Sequence, residues 1–256
     1  MFNKLSNQIC ILFILMNSII FSQVQNYDFK LATKHYSSEV YNAMPQIFDI
    51  AQDNKGIMYF ANQNGVVEYD GSKWRNISLY PESEINALGT DNKGNIFAGG
   101  FEQFGYLLKL DSGKIKFQSL KDKIPDSVKF KRIVNILVNK SNTVLFQSQK
   151  HLFIYDQNEV KIVSAKGENV FHEAFLLNDR FYVKIKNKGL YSLIGEELQL
   201  LNNGDFFSND DIVSIDYFND KSIVITDHKV YQMDENSIEE IELKELNNIA
   251  LYRTIG

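Results

Sequence analysis

Four histidines, His35, His151, His172 and His228, are the first side chains to weigh for metal or acid–base chemistry, and they are scattered without ligand spacing. A zinc helix needs a second histidine one turn from the first, and the pair His172-Glu173 has none. Hard oxygen donors occur at Asp53, Asn54, Asp91 and Asn92, the kind a calcium ion takes. Calcium loops alternate several carboxylates and close on a bidentate acid, whereas Lys55 and Lys93 sit inside these stretches, so hairpin turns are the better reading. Asn209-Asp210-Asp211 has a stronger claim, with two adjoining carboxylates, and reads as a solvated connector. Glycoside cleavage needs two carboxylates converging at a set separation. Glu68, Glu102, Glu173 and Asp216 can be nominated, but nothing in the sequence pairs them. The chain also lacks a nucleophile elbow, phosphate loop, dinucleotide fingerprint and zincin motif. The sequence therefore predicts no catalytic residue, no cofactor and no metal. One candidate remains: Phe101-Glu102-Gln103-Phe104 interrupts a strand pattern as an inserted loop would. Loops on a rigid scaffold commonly carry binding, so Phe101, Glu102, Gln103 and Phe104 form the expected ligand-binding patch.

The elements that must hold this patch are set by a repeat. Asp53-Asn54-Lys55-Gly56 returns as Asp91-Asn92-Lys93-Gly94, 38 residues later, each copy flanked by short apolar runs. Aspartate at the first position can cap the following amides, and glycine at the last accepts the positive φ of a tight turn. Around the first copy lie four predicted strands: Ile47 to Ala51, Ile57 to Ala61, Val66 to Tyr69 and Trp74 to Leu79. The order recurs over residues 85–120, and with weaker punctuation over 131–163, 171–201 and 210–243. Central strands such as Ile57-Met58-Tyr59-Phe60-Ala61 are almost continuously apolar, which suits sheets covered on both faces.

Four-stranded units near 40 residues predict an all-β chain, a β-propeller whose blades stack face to face. About five blades are expected in residues 27–256, the first spanning 45–80, with the start of a sixth at 246–256. That count predicts an incomplete ring, a fragment of a longer protein. Residues Tyr27 to Tyr41, which alternate polar and apolar, are expected to supply a ring-closing strand, and Trp74 to anchor packing between blades.

Residues 1–23 stand apart, with Lys4 ahead of the uncharged run Ile9 to Phe21, and read as a secretory signal peptide. The run is too short for a membrane-spanning helix. Cys10, the sole cysteine, lies within it, so the mature chain has no disulfide or thiolate chemistry. A formal net charge of −5 with both signs interspersed gives no basic stripe for nucleic acid.

The stretch from Gln46 through Ala61, followed by Gly65-Val66-Val67-Glu68-Tyr69-Asp70-Gly71 and Trp74, resembles the first blade of bacterial regulator propellers. These are the exported sensor parts of two-component regulators that carry a triple-tyrosine domain. Gly94 to Gly100 and Glu102-Gln103-Phe104-Gly105-Tyr106 are similar to that group's second blade, and the likeness covers residues 41–120. Ile47-Phe48 stands where the group more often has Asn-Trp, a core-compatible exchange. The resemblance implies an exported, periplasmic, non-enzymatic ligand-sensing module of a signal-transduction regulator, with membrane anchoring and kinase or DNA-binding output supplied by regions beyond this segment. Its expected partner is a small molecule or glycan, and a second copy of the chain in a full-length parent. A secreted propeller enzyme acting on polysaccharide and an adhesion or scaffold propeller are the competing readings.

Overall fold

The computed structural model describes residues 33–79, 83–218, 221–234 and 237–241. The signal peptide assigned to 1–23 and the sixth-unit start at 246–256 lie outside the described residues. The described residues from Ser37 onward form one compact unit.

That unit contains five antiparallel sheets, each of four strands in sequence order. Blade 1 comprises β1 (Ile47–Gln52), β2 (Met58–Asn62), β3 (Gly65–Tyr69) and β4 (Trp74–Ile77). Blade 2 comprises β5 (Ile85–Thr90), β6 (Ile96–Gly100), β7 (Gln103–Lys109) and β8 (Ile115–Ser119). Blade 3 comprises β9 (Ile133–Val138), β10 (Val144–Ser148), β11 (His151–Tyr155) and β12 (Val160–Ser164). Blade 4 comprises β13 (Phe171–Leu177), β14 (Arg180–Ile185), β15 (Gly189–Ile194) and β16 (Glu197–Leu200). Blade 5 comprises β17 (Ile212–Phe218), β18 (Lys221–Thr226), β19 (Val230–Met233) and β20 (Ile238–Glu240).

First strands of successive blades lie against one another, which places them innermost and the fourth strands outermost. Apolar clusters then join each blade to the next. Tyr59 and Val66 of blade 1 meet Leu88 and Ile96 of blade 2, and Phe97 and Phe104 meet Phe146 and Phe153 of blade 3. Val183 packs with Leu145 and Leu152, and Val224 with Phe175 and Leu190. Every residue of β6 and β10 is buried, as strands covered on both faces must be. Among the described residues no such cluster joins blade 5 to blade 1, so the propeller is an open arc of five blades.

Each blade has two ends. One carries the turns from first to second strand and from third to fourth, here the turn end. The Asp53 carboxylate accepts the amides of Lys55 and Ile57, each at 2.9 Å, and Gly56 closes the turn at φ 82°. Asp91 repeats this on Lys93 and Asn95 at 2.9 and 2.8 Å. In blade 3, Asn142 takes the left-handed position at φ 60°, and in blade 4 Asn178 and Asp179 do so as a pair. Asparagine and aspartate tolerate that region because their short side chains bond locally, so the turn survives without glycine.

The opposite, loop end carries the second-to-third turns and the connectors between blades. There every first strand opens with a register shift: between Ile47 and Asp49, Ile85 and Ala87, Ile133 and Asn135, Phe171 and Glu173, and Ile212 and Ser214. One residue per blade, Phe48, Asn86, Val134, His172 or Val213, is thereby left unmatched in the ladder, and none of the five is buried. Bulges re-aim side chains at strand ends, here around the mouth of the central channel.

Of the stretch Tyr27 to Tyr41, expected to supply a ring-closing strand, residues 27–32 lie outside the described residues, and no strand occurs at 33–41. Ser38–Tyr41 is a single helical turn, α1, ended by Asn42 at φ 50°. Trp74 makes ring contacts within blade 1 and to α1: it stacks on Tyr69 at 4.3 Å and packs with Phe60 and Tyr41, both at 5.5 Å. Tyr69 and Phe60 share its sheet and its face, the one turned away from blade 2, because register pairs Trp74 with Tyr69 and Tyr69 with Met58.

Candidate functional site

The four residues singled out by the sequence lie at the loop end of blade 2, and their strand assignment changes. Gln103 and Phe104 belong to β7 and are buried, while Phe101 and Glu102 form the tip of a tight turn. No loop is inserted. Glu102 adopts φ 53°, and Gly100 precedes the turn because a Cβ there would lie 1.7 Å from the Glu84 carbonyl oxygen. A strand-end glycine of this kind marks close backbone approach.

Phe104 is fully buried, stacked on Phe153 at 4.7 Å and 5.7 Å from Phe130, so its ring belongs to the core between blades 2 and 3. Gln103 accepts the Ser119 hydroxyl at 3.0 Å and ties β7 to β8. Phe101 is different: its ring is 48% exposed. Its amide donates to the Glu84 carbonyl at 3.0 Å, its carbonyl accepts the Ser83 hydroxyl at 2.7 Å, and it bridges Arg132. The Glu102 amide donates to the Lys131 carbonyl at 2.6 Å. Three segments are thus laced together by backbone bonds, which holds the exposed ring on a rigid seat.

Two cavities adjoin that ring. A cavity of 350 Å³ lies over the start of β5 and the connector after β8, with Glu84, Glu102, Lys121 and Arg132 in its walls. The larger, 720 Å³, opens toward blade 3 over Lys129, Phe130 and Lys131, with Arg132 and the bulged Val134 on one side and Ser148 to Lys150 on the other. Arg132 is held by Glu84 at 2.8 Å, and Lys121 lies 3.9 Å from Glu102. The Lys150 ammonium donates to the carbonyls of Gly167 and Asn169 at 3.1 and 2.8 Å. Next to it, burial holds the His151 imidazole below its ordinary pKa, and its Nδ1 lies 2.9 Å from the Ser164 hydroxyl.

The sequence missed the residues from 129 to 132 and from 149 to 150. A signal existed: first strands begin at Ile47, Ile85, Ile133, Phe171 and Ile212, and only the step from Ile85 to Ile133 exceeds the others by a wide margin. The added length is the connector after Ser119, the segment that floors this cavity.

The carboxylates nominated for glycoside chemistry are not brought together. Glu68 is buried on β3 and ion-paired with Arg75, Glu102 stands at the blade 2 turn, Glu173 accepts from Asn135, and Asp216 is exposed on β17. The turn carboxylates of Asp53 and Asp91 are occupied by backbone amides. His172 Nε2 lies 3.4 Å from Asp211 in the connector before blade 5. No helix among the described residues is long and apolar enough to cross a membrane.

No protein-family model matches this chain, and no curated protein matches it. Solved structures do. The chain is similar to a catalytically inactive virginiamycin B lyase from Staphylococcus aureus, with TM-score 0.60 and 13% identity, covering 86% of this chain and 76% of that one. It is also similar to the extracellular domain of a putative one-component system from B. thetaiotaomicron, with TM-score 0.58 and 16% identity over 85% of this chain and 30% of that one. A third is PorZ, a surface component of the type-IX secretion system of Porphyromonas gingivalis, with TM-score 0.59 and 15% identity over 82% of this chain and 36% of that one. At these identities the likeness shows the propeller fold, which serves a lyase, an extracellular domain of a signalling system and a secretion component.

Proposed function

We propose that this chain is the exported, periplasmic ligand-sensing propeller of a bacterial signal-transduction regulator of the triple-tyrosine kind, and that it binds its ligand without transforming it. The observation that carries the reading is the 720 Å³ cavity beside Phe101, built from segments of two successive blades. A ligand seated there touches the blade 2 turn and the blade 3 turn together, so it favours one relative placement of the blades. Only such a difference in affinity between two arrangements can pass a signal onward. The regulator-propeller resemblance over residues 41–120, which includes the Phe101 turn, and the signal peptide assigned to 1–23 support the same reading. The ligand is a small molecule or glycan, and anchoring to the inner membrane and output belong to the full-length parent, which pairs as a homodimer.

The test is a thermal-shift screen of the purified chain against soluble oligosaccharides and small metabolites, followed by mass spectrometry of every ligand that raises the melting temperature. Recovery of the ligand unchanged, with binding weakened in Phe101→Ala, is the expected result. Turnover of the ligand would replace sensing by the propeller-enzyme reading.

A further inference from the structure

The cavity between blades 2 and 3 carries a charge opposite to that of the whole chain. The formal net charge is −5, yet Lys129, Lys131, Arg132 and Lys150 line this one space and Glu102 is its single acid. Arg132 is already satisfied by Glu84, and Lys150 spends donors on two carbonyls. Lys129 and Lys131 form no ion pair among the described residues. Both are exposed while Phe130 between them is buried against Phe104 and Phe153, so the segment turns both ammoniums away from the core on one side. A cleft lined by one sign of charge over a low-dielectric floor focuses its field on an incoming counter-ion. Beside it, Phe101 is 48% exposed and Val134 42%, an apolar surface that water solvates poorly.

We propose that this cavity takes a small organic anion with at least two acidic groups and one flat apolar face, the acidic groups meeting Lys129 and Lys131 and the flat face lying on Phe101. The proposal rests on the ligand-sensing reading above and narrows its ligand class.

Isothermal titration of the purified chain tests it with three probes: trigalacturonate, the aromatic diacid terephthalate, and maltotriose as the neutral sugar of equal ring number. An acidic probe binds and maltotriose binds at least tenfold more weakly. Trigalacturonate binding alone assigns the anion to sugar acids, and terephthalate binding alone assigns it to aromatic acids. Raising salt from about 50 to about 500 mM weakens the acidic probe, since exposed charges are screened over a shorter distance. Lys129→Ala/Lys131→Ala costs about tenfold in affinity, and Phe101→Ala about fivefold. All three positions are exposed, and unchanged circular dichroism certifies the fold. Binding of maltotriose as tight as that of the acids, no binding of either acid, or full affinity in the double variant overturns the proposal. Maltotriose bound alone and unchanged sinks the anion assignment and leaves sensing standing. Cleavage or modification of a bound acid sinks sensing and leaves the anion assignment standing.

Discussion

The two ends of the blades solve different problems with the same strands. At the turn end, successive blades are tied by a repeated polar stitch: Asn54 donates to the Lys93 carbonyl at 3.0 Å, Asn92 to the Lys140 carbonyl at 3.4 Å, and the Lys140 amide to Asp179 at 2.5 Å. Those contacts bind one turn to the next through Asn, Lys and Asp at corresponding places. At the loop end the side chains differ at every blade. The residue one place before the end of the second strand is Ala61, Gly99, Gln147, Lys184 and Ile225 in turn. Gly99 leaves room for Ile133 of the next blade, Gln147 bonds the His172 carbonyl and Ala174 amide, and Lys184 reaches the Ser208 carbonyl at 3.0 Å. The contrast teaches that the turn end repeats one solution while the loop end fits each pair of blades together with its own residues.

Substitutions at the two ends put that contrast at risk. Gly100→Ala is expected to be the most damaging, destabilising by about 3 kcal/mol in chemical denaturation, because the backbone of Glu84 must move to admit a methyl group. It also displaces Phe101 and weakens ligand binding. A variant of parental stability would break the claim that this turn is rigidly seated. At the turn end, Asp91→Ala removes the acceptor for two amides and for the Asn95 side chain, and is expected to cost about 2 kcal/mol. Ligand affinity should be untouched in the same titration, and a loss there would show that the ends are not independent.

Asn54→Ala, which cuts one exposed stitch between blades 1 and 2, should cost only about 0.5 kcal/mol. Its informative readout is hydrogen exchange. Faster exchange is expected for turn-end amides of both blades, and a change confined to blade 1 would deny the stitch its linking role.

The smallest effect concerns pH. Amides of Lys73 and Ser72 hold the Asp70 carboxyl below its ordinary range, and those of Glu159 and Asn158 do the same for Asp156. A pKa lowered by folding means that the unfolded chain binds more protons, so the contribution is complete above the ordinary aspartate pKa. It fades as pH falls through the lower folded value. Both groups sit in third-to-fourth strand turns, so acidification should lower the exchange protection factors of these four amides, measured against the intrinsic rate at each pH, before those around Phe101. An equal loss of protection at both ends would contradict it.

How far the sequence foretold this molecule divides along the same line. The alternation and the Asp-Asn-Lys-Gly turn place the blade 1 strands β1 to β4 close to their observed limits, because both signals are local. The ring partners of Trp74, Phe60 and Tyr69, were not legible because they lie on other strands of its sheet, and which face they share depends on register. The bulges were invisible for the same reason: two residues facing one is a property of a pair of strands. In the cavity only Phe101 and Glu102 could be picked out, by a break in pattern. Lys129, Lys131 and Lys150 are ordinary surface cations until the connector after blade 2 folds back beside the blade 3 turn.

The five unmatched residues at the starts of the first strands carry an evolutionary consequence. Each stands outside the ladder that its neighbours must keep, so its identity can change without shifting any register. Phenylalanine, asparagine, valine, histidine and valine already occupy the five places, at positions 48, 86, 134, 172 and 213. The exposed members, Val134 and Val213, are therefore separately adjustable positions, and a lineage can explore new ligands there one substitution at a time while its blades remain as they are.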